Sequence, residues 1–309
     1  MLIRYHTGPD GKPVKKAVVY TKAEHGIETA TVDRDAVRIL ERLRQSGHDA
    51  YIVGGAVRDL LVGRTPKDYD IVTDAEPGRI KKLFYRSRII GKRFRLVHVY
   101  AGPKIYEVST FRSISNGTVG NTYGSIDEDA LRRDFSLNAL YYDPLDGIIV
   151  DYVGGVKDIR ARKLVPVIPL KTIFTEDPVR MLRAVKYSVS TGFSIPFFTR
   201  RAIRKHAPLL GKASVSRLGE EALKILSSGN ALPIFSTLHH YGLLAFFLPG
   251  LARTLDEGGK GAEDLGENLK ALDSMVQSGG DKSLRMLLAF VIRPAVDEAS
   301  LAPYPDAQA

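Results

Sequence analysis

Two aspartates flank one tyrosine in GRTPKDYDIVTDA, residues 63–75. In an extended chain alternate side chains point the same way, so Asp68 and Asp70 project together while Tyr69 and Ile71 face the other side. Two carboxylates that close repel each other unless a cation or a shared proton sits between them. The plain alternative is a solvated strand end after the Thr65-Pro66 turn. Just upstream, in YIVGGAVRD, Gly54 and Gly55 stand between a strand pattern and a helix pattern, with Arg58 about one turn on. Missing β-carbons let backbone N–H groups approach a phosphate, and Arg58 lies close enough to pair with the same anion. The alternative is a tight turn that uses glycine for φ alone. A phosphate cradle beside paired carboxylates is what metal-dependent nucleotidyl transfer requires, since magnesium takes one or two carboxylates plus substrate phosphate oxygens. Glu107, in YEVSTF, is a candidate third acid on a neighbouring strand, or else an outward-facing strand residue.

Three further stretches carry charge at suggestive spacing. EDALRRDFSLNALYY holds Arg132, Arg133, Asp134 and Asn138. Read as a helix, it puts Asp134 and Asn138 on one face with Arg133 beside them; an ordinary charged helix with internal ion pairs reads the same way. TEDPVRMLRAVKY places Asp177, Arg180 and Arg183 at steps of three, opposite a stripe of Leu182, Val185 and Val189. Such a face suits a base edge or a triphosphate, but Pro178 is a natural first helical residue and makes Asp177 a candidate N-cap. RRAIRK, residues 200–205, offers Arg200, Arg201 and Arg204 to RNA phosphates, or is a solvated helix face.

The elements that must position these residues follow from periodicity. Residues 1–28 read as a loosely ordered, lysine-bearing arm. An amphipathic helix follows, with Val37, Ile39, Leu40 and Leu43 as its stripe and Gly47 as its stop. YIVGG and YDIVT are strands, AVRDLLVG and PGRIKKLF short helices, and RFRLVHVYAGPKIYEVSTF a hairpin around Gly102-Pro103. SIDEDALRRDFSLNALYY reads as helix and DGIIVDYVGG as strand. This α+β region ends near residues 163–167. Beyond it the pattern is helical, with DEGGKGAEDLGEN, residues 256–268, as an exposed loop.

Composition bounds the rest. The 309 residues are 44% hydrophobic with a net charge of +10, which favours a polyanionic partner. The absence of cysteine excludes disulfides, zinc–thiolate sites and thiol nucleophiles. Neither a signal-peptide core at the start nor a membrane-length apolar run is present, so a cytoplasmic location is expected.

VGGAVRD, KDYDI, EDALRRDFSLNAL and EDPVRMLRAVKY resemble, in order and spacing, the class II nucleotidyltransferases. That group comprises the tRNA CCA-adding enzymes and bacterial poly(A) polymerases. IIGKRFRLVHVYAG, EVSTFR and DYVGGVKDI look like the poly(A) polymerase branch. The resemblance implies a DNA-polymerase-β-like head over residues 29–167, a helical neck over 168–215 and a helical RNA-binding body over 216–309, shorter than is common in the family. It further implies that Gly54, Gly55 and Arg58 contact the incoming nucleotide and that Asp68 and Asp70 hold two magnesium ions. Asp134 matches the third catalytic aspartate, Arg133 and Asn138 the triphosphate and ribose motif, and Asp177, Arg180 and Arg183 the base-recognition motif. Lys186 stands where arginine is usual, keeping the charge without the planar fork. NGTVGNTYG is a short version of a segment expected near the active site, and LAPYPDAQA reads as a frayed terminus. The implied activity is template-independent addition of AMP from ATP to an RNA 3′ end. CCA addition, which also uses CTP, is the alternative, and a non-catalytic RNA-binding relative is a third reading.

Overall fold

The computed structural model describes residues 2–7, 13–91, 95–113 and 122–291. Residues 116–121 of NGTVGNTYG and the terminal LAPYPDAQA lie outside them. The chain divides into two compact units, Met1–Pro169 and Leu170–Ala309.

The first unit is built on one mixed sheet of nine strands: β1 (Leu2–Thr7), β2 (Pro13–Thr21), β3 (Ala50–Val53), β4 (Asp70–Thr73), β5 (Ser87–Ile90), β6 (Leu96–Ala101), β7 (Lys104–Thr110), β8 (Leu140–Asp143) and β9 (Ile148–Asp151). Their spatial order is β1-β2-β9-β8-β3-β4-β7-β6-β5. Among the described strands only β4 and β7 pair in parallel. The helix Arg34–Gln45 is capped by Asp33, whose carboxylate accepts from the Asp35 and Ala36 amides, and it buries Ala36, Ile39, Leu40 and Leu43. On one face of the sheet Tyr51, Val53, Val72, Phe111, Tyr141 and Val150 form a continuous core with Ala130.

The expected β6–β7 hairpin is present and gains β5 as a third strand. Three other expectations are overturned. The described part of residues 1–28 is not a loose arm: β1 and β2 pair, and β2 continues onto β9 through Val18–Asp151 to Thr21–Ile148. Burying Ala17, Val18 and Val19 on that edge outweighs the polar composition around them. Residues 125–142 are not one helix. The helix stops at Leu131, a single turn spans Ser136–Asn138, and β8 begins at Leu140. Every residue from Phe135 to Tyr142 is buried, a continuous run that suits a central strand better than one helix face. Residues 259–277 are helical rather than looped. Positive φ at Gly258 and Gly259 makes the turn, and Leu265, Leu269, Leu272 and Val276 then bury one stripe at helical spacing.

The second unit is helical throughout its described residues. Its centre is Ala231–His240, packed against Val179–Thr191 and Gly259–Gln277 through Ile234, Phe235 and Leu238. Asn230 gives that helix no side-chain cap; Asp273 supplies one from another helix, accepting from the Ala231 and Leu232 amides at 2.5 and 3.0 Å.

DYVGGVKDI ends β9 and starts the helix Gly155–Arg160. The Asp151 carboxylate gathers the amides of Val153, Gly154, Gly155 and Val156. A β-carbon on Gly155 would fall on the Ser136 carbonyl oxygen, in the turn that carries Asn138. Because that obstacle is backbone, Gly155→Ala is expected to destabilise the first unit by about 1–3 kcal/mol, read by urea denaturation.

Candidate active site

The Gly-Gly turn leaves β3 at Val53, which pairs with Asp70 at the start of β4. Gly54 has φ +72° and ψ −134°, a conformation costly for any residue with a β-carbon. That turn brings the backbone beside the Asp70 carboxylate: a β-carbon at Gly54 would sit 3.5 Å from Asp70 Oδ2. Across the parallel ladder Asp70 is paired with Glu107, so the two acids stand side by side on one face. His98 lies beyond Glu107, Nε2 to Oε1 at 3.5 Å. Asp68 falls two residues ahead of β4 rather than within it. It is exposed, Tyr69 is buried and Asp70 is exposed, so the alternation extends past the strand end.

Asp134 stands on a separate segment, at the bend after the helix Ile126–Leu131, with Oδ1 accepting from the Phe135 amide at 2.8 Å. Asp134 and Asn138 do not share a helix face, because no helix joins them. Glu107 is the acid that strand pairing places next to Asp70. Among the described residues no group of three or more acids and histidines converges as a metal cage. Exposed carboxylates beside a glycine turn, Asp68, Asp70 and Glu107, are nonetheless the donor type magnesium uses.

A second cluster adjoins the turn. Arg58 Nη1 donates to Asn138 Oδ1 at 3.1 Å and its Nε to Asp59 Oδ1 at 2.9 Å. Arg133 Nη1 donates to the Asn138 carbonyl at 3.1 Å. Arg58, Arg133 and Asn138 are thus brought together, by tertiary contact instead of helical spacing. The residue that organises them was missed from sequence. Asp129, 1% exposed, accepts from Arg133 Nη2 at 2.9 Å, Arg132 Nη2 at 2.7 Å and the Tyr141 hydroxyl at 2.9 Å. Its signal was present as i+3 and i+4 spacing to the two arginines, within the reading of an ordinary ion-paired helix.

In the second unit, Asp177 Oδ1 accepts from the Val179 amide at 3.2 Å, as a cap would, and Oδ2 takes Arg217 Nη2 at 2.6 Å. Arg180 donates to the Ile173 carbonyl and to Glu176. Arg183 and Lys186 both turn to Glu221, at 2.8 and 2.7 Å, and Glu221 is 2% exposed. Burial raises the Glu221 pKa, but Lys186 and Arg183 outweigh it and hold the carboxyl below its usual range. Arg200, Arg201 and Arg204 are exposed on the helix Phe197–His206. Arg204 lies over the Tyr241 ring and donates to His240 Nε2 at 3.0 Å.

A glycine turn set against a carboxylate at the start of the next strand, with a second acid paired to it in a mixed sheet, is the frame of a nucleotidyltransferase head. Residues 50–165 match the family model of the poly(A) polymerase head domain, and residues 192–255 that of a probable RNA and SrmB binding site of polymerase A. Poly(A) polymerase I of Salmonella typhi is 37% identical over 278 residues, covering 84% of this chain and 60% of that protein. The CCA-adding enzyme of Geobacillus stearothermophilus is 39% identical over 225 residues, covering 71% of this chain and 55% of that enzyme. The crystal structure of the Bacillus stearothermophilus CCA-adding enzyme in complex with CTP superposes with a TM-score of 0.67 at 32% identity, covering 89% of this chain and 72% of that one. The chain belongs to the class II nucleotidyltransferase family. It spans about 60% of the length of the poly(A) polymerase relatives it matches.

Burial raises the Asp129 pKa, yet Arg133 and Arg132 outweigh it and hold the carboxyl below its usual value. A depressed carboxyl pKa contributes stability that is complete above the unfolded value of about 4 and is lost as pH falls through the native value. Asp129→Asn is therefore expected to lower stability at pH 7 by about 3–5 kcal/mol, because two guanidiniums lose their counter-charge. The variant should also show a flatter stability profile than the parent below pH 4, measured by urea denaturation across pH.

Proposed function

We propose that this protein adds AMP from ATP to the 3′ end of RNA without a template. The observation that carries the chemistry is the in-register pair Asp70 and Glu107 beside the Gly54-Gly55 turn, with Asp68 two residues upstream. The relatives favour adenylate: poly(A) polymerase I matches 84% of the chain, against 71% for the CCA-adding enzyme.

The 3′ hydroxyl oxygen forms a bond to the α-phosphorus as the bridging bond to the β-phosphate breaks. Pyrophosphate leaves with that electron pair, and the hydroxyl proton is released. Asp68 and Asp70 would hold magnesium, with Glu107 alongside. A metal held there would supply charge neutralisation at the transferring phosphate and a lowered pKa for the attacking hydroxyl. Gly54 and Gly55 let the backbone approach the triphosphate. Arg58, steadied by Asp59 and Asn138, presents a fixed cation to it, and Arg133 fixes the Asn138 backbone beside the ribose. Asp134, with one oxygen committed to an amide, serves as a supporting acid.

Base choice rests on Asp177 and Arg180, whose hydrogen-bonding groups match one donor–acceptor pattern and leave another unsatisfied. Arg183 and Lys186 support that helix through Glu221. Arg200, Arg201 and Arg204 carry RNA phosphates, and the protein works in the cytoplasm. No described helix is long and apolar enough to cross a membrane.

CCA addition is the second reading, favoured by the superposition on a CTP-bound CCA-adding enzyme. Offering tRNA lacking CCA and an oligo(A) primer, each with all four nucleotides and magnesium, separates the two. AMP runs on oligo(A) support polyadenylation; CMP followed by AMP on tRNA overturns it. Retention of Asp68, Asp70 and Asp134 argues against a non-catalytic relative.

Asp70→Ala is expected to abolish incorporation while changing stability by no more than about 0.5 kcal/mol, since the side chain is exposed. Substantial residual transfer would refute the metal role. Arg180→Ala should blur the choice of ATP over other nucleotides by about ten- to a hundredfold, the cost of one unsatisfied buried polar group, while slowing AMP transfer less. Competition assays with mixed nucleotides read this directly.

A further inference from the structure

The register of the sheet lines up a row of side chains that continues past the candidate active site. Asp70 on β4 pairs with Glu107 on β7, Glu107 with His98 on β6, and His98 with Arg88 on β5. Directly paired residues share a face. Asp70, Glu107 and Arg88 are exposed and His98 is half-buried, whereas the intervening Val97, Val99 and Val108 are buried on the other face, where the helix Pro77–Leu83 packs. With strands about 4.8 Å apart, Arg88 stands on the order of 14 Å from Asp70 along this row. Two residues on, the Tyr100 amide donates to the Arg86 carbonyl at 2.9 Å. The Tyr100 ring, 36% exposed, meets His98 edge-on at 6.5 Å.

The charge of this lobe is one-sided. From Pro77 to Tyr106 the chain has nine lysines and arginines and no aspartate or glutamate. Neither Arg86 nor Arg88 has an ion pair among the described residues, although both are exposed. A hollow of about 630 Å³ opens at Arg86, lined by it with Lys81, Tyr85, Ser87, Tyr100 and Gly102. Unpaired guanidiniums next to accessible rings, continuous with a row of catalytic carboxylates, match single-stranded nucleic acid in both its charges and its bases.

We infer that the open face of β5 and β6 is the track for the RNA just upstream of its 3′ end. Arg86 and Arg88 take its phosphates, and the His98–Tyr100 pair packs against a base. This rests on the RNA substrate proposed above. It assigns to the head a grip on RNA separate from the basic helix Phe197–His206. The competing account is that charge on β5, the edge strand, merely blocks sheet-to-sheet association.

The test uses the whole chain and its Arg86→Gln/Arg88→Gln double variant with a fluorescein-labelled oligo(A) primer. Anisotropy over a salt series should show affinity weakened about tenfold and the salt slope reduced by about 1.4, two phosphates at about 0.7 each. The KM for ATP and the melting temperature should be unchanged. Tyr100→Leu should weaken binding severalfold with the slope intact, because stacking releases no counterion. Affinity and slope equal to the parent in the double variant would overturn the inference, and new self-association on sedimentation would then assign the arginines to edge protection. A parent protein that neither binds oligo(A) nor extends it would instead defeat the proposed function itself.

Discussion

Asp129 is a carboxylate with almost no access to water, and an anion in that position is tolerable only when every oxygen is committed. Two arginines, a tyrosine hydroxyl and the Arg112 amide commit them. The consequence reaches well beyond charge balance. Arg133 is held so that it can grip the Asn138 backbone, and the Asn138 side chain receives Arg58. Residues from the helix Ile126–Leu131, the Ser136–Asn138 turn and the helix after the glycine turn are thereby joined in one hydrogen-bonded assembly. Loosening Asp129 would loosen all three.

The sheet supplies the other constraint. β4 and β7 run parallel, so the chain between them must cross over, and it does so through the helix Pro77–Leu83 and strands β5 and β6. That crossover sets Glu107 opposite Asp70 and adds two strands, β6 and β5, beyond the carboxylates. Without it the two acids would have no reason to meet, being 37 positions apart in the chain. The same register that aligns them fixes His98 and Arg88 in line.

The helical unit repeats the first principle with different residues. Glu221 is buried and answers Arg183 and Lys186, while Asp273 is buried and caps a helix that has no cap of its own. In both cases one carboxylate joins elements distant in sequence, and its desolvation ties local order to global folding. Arg183 and Lys186 therefore tie the helix Val179–Thr191 to Glu221 and so to a second helix.

Local patterns in the chain were sufficient for much of this. The alternation around Tyr69, the glycine pair after YIV, the β6–β7 hairpin and the helical character beyond residue 170 are all short-range features, and periodicity reads them. The ordered motifs placed the chain in its family. What the sequence could not determine depended on partners far along the chain. Residues 2–7 and 13–21 became strands because β9 offers an edge to pair with, and residues 140–143 left the helix because the sheet needed a central strand there. Asp129 looked like any surface ion pair until burial made it the anchor of Arg133. Whether Glu107 or Asp134 stands beside Asp70 was likewise undecidable from spacing, since strand register, a tertiary property, is what brings acids on separate segments together.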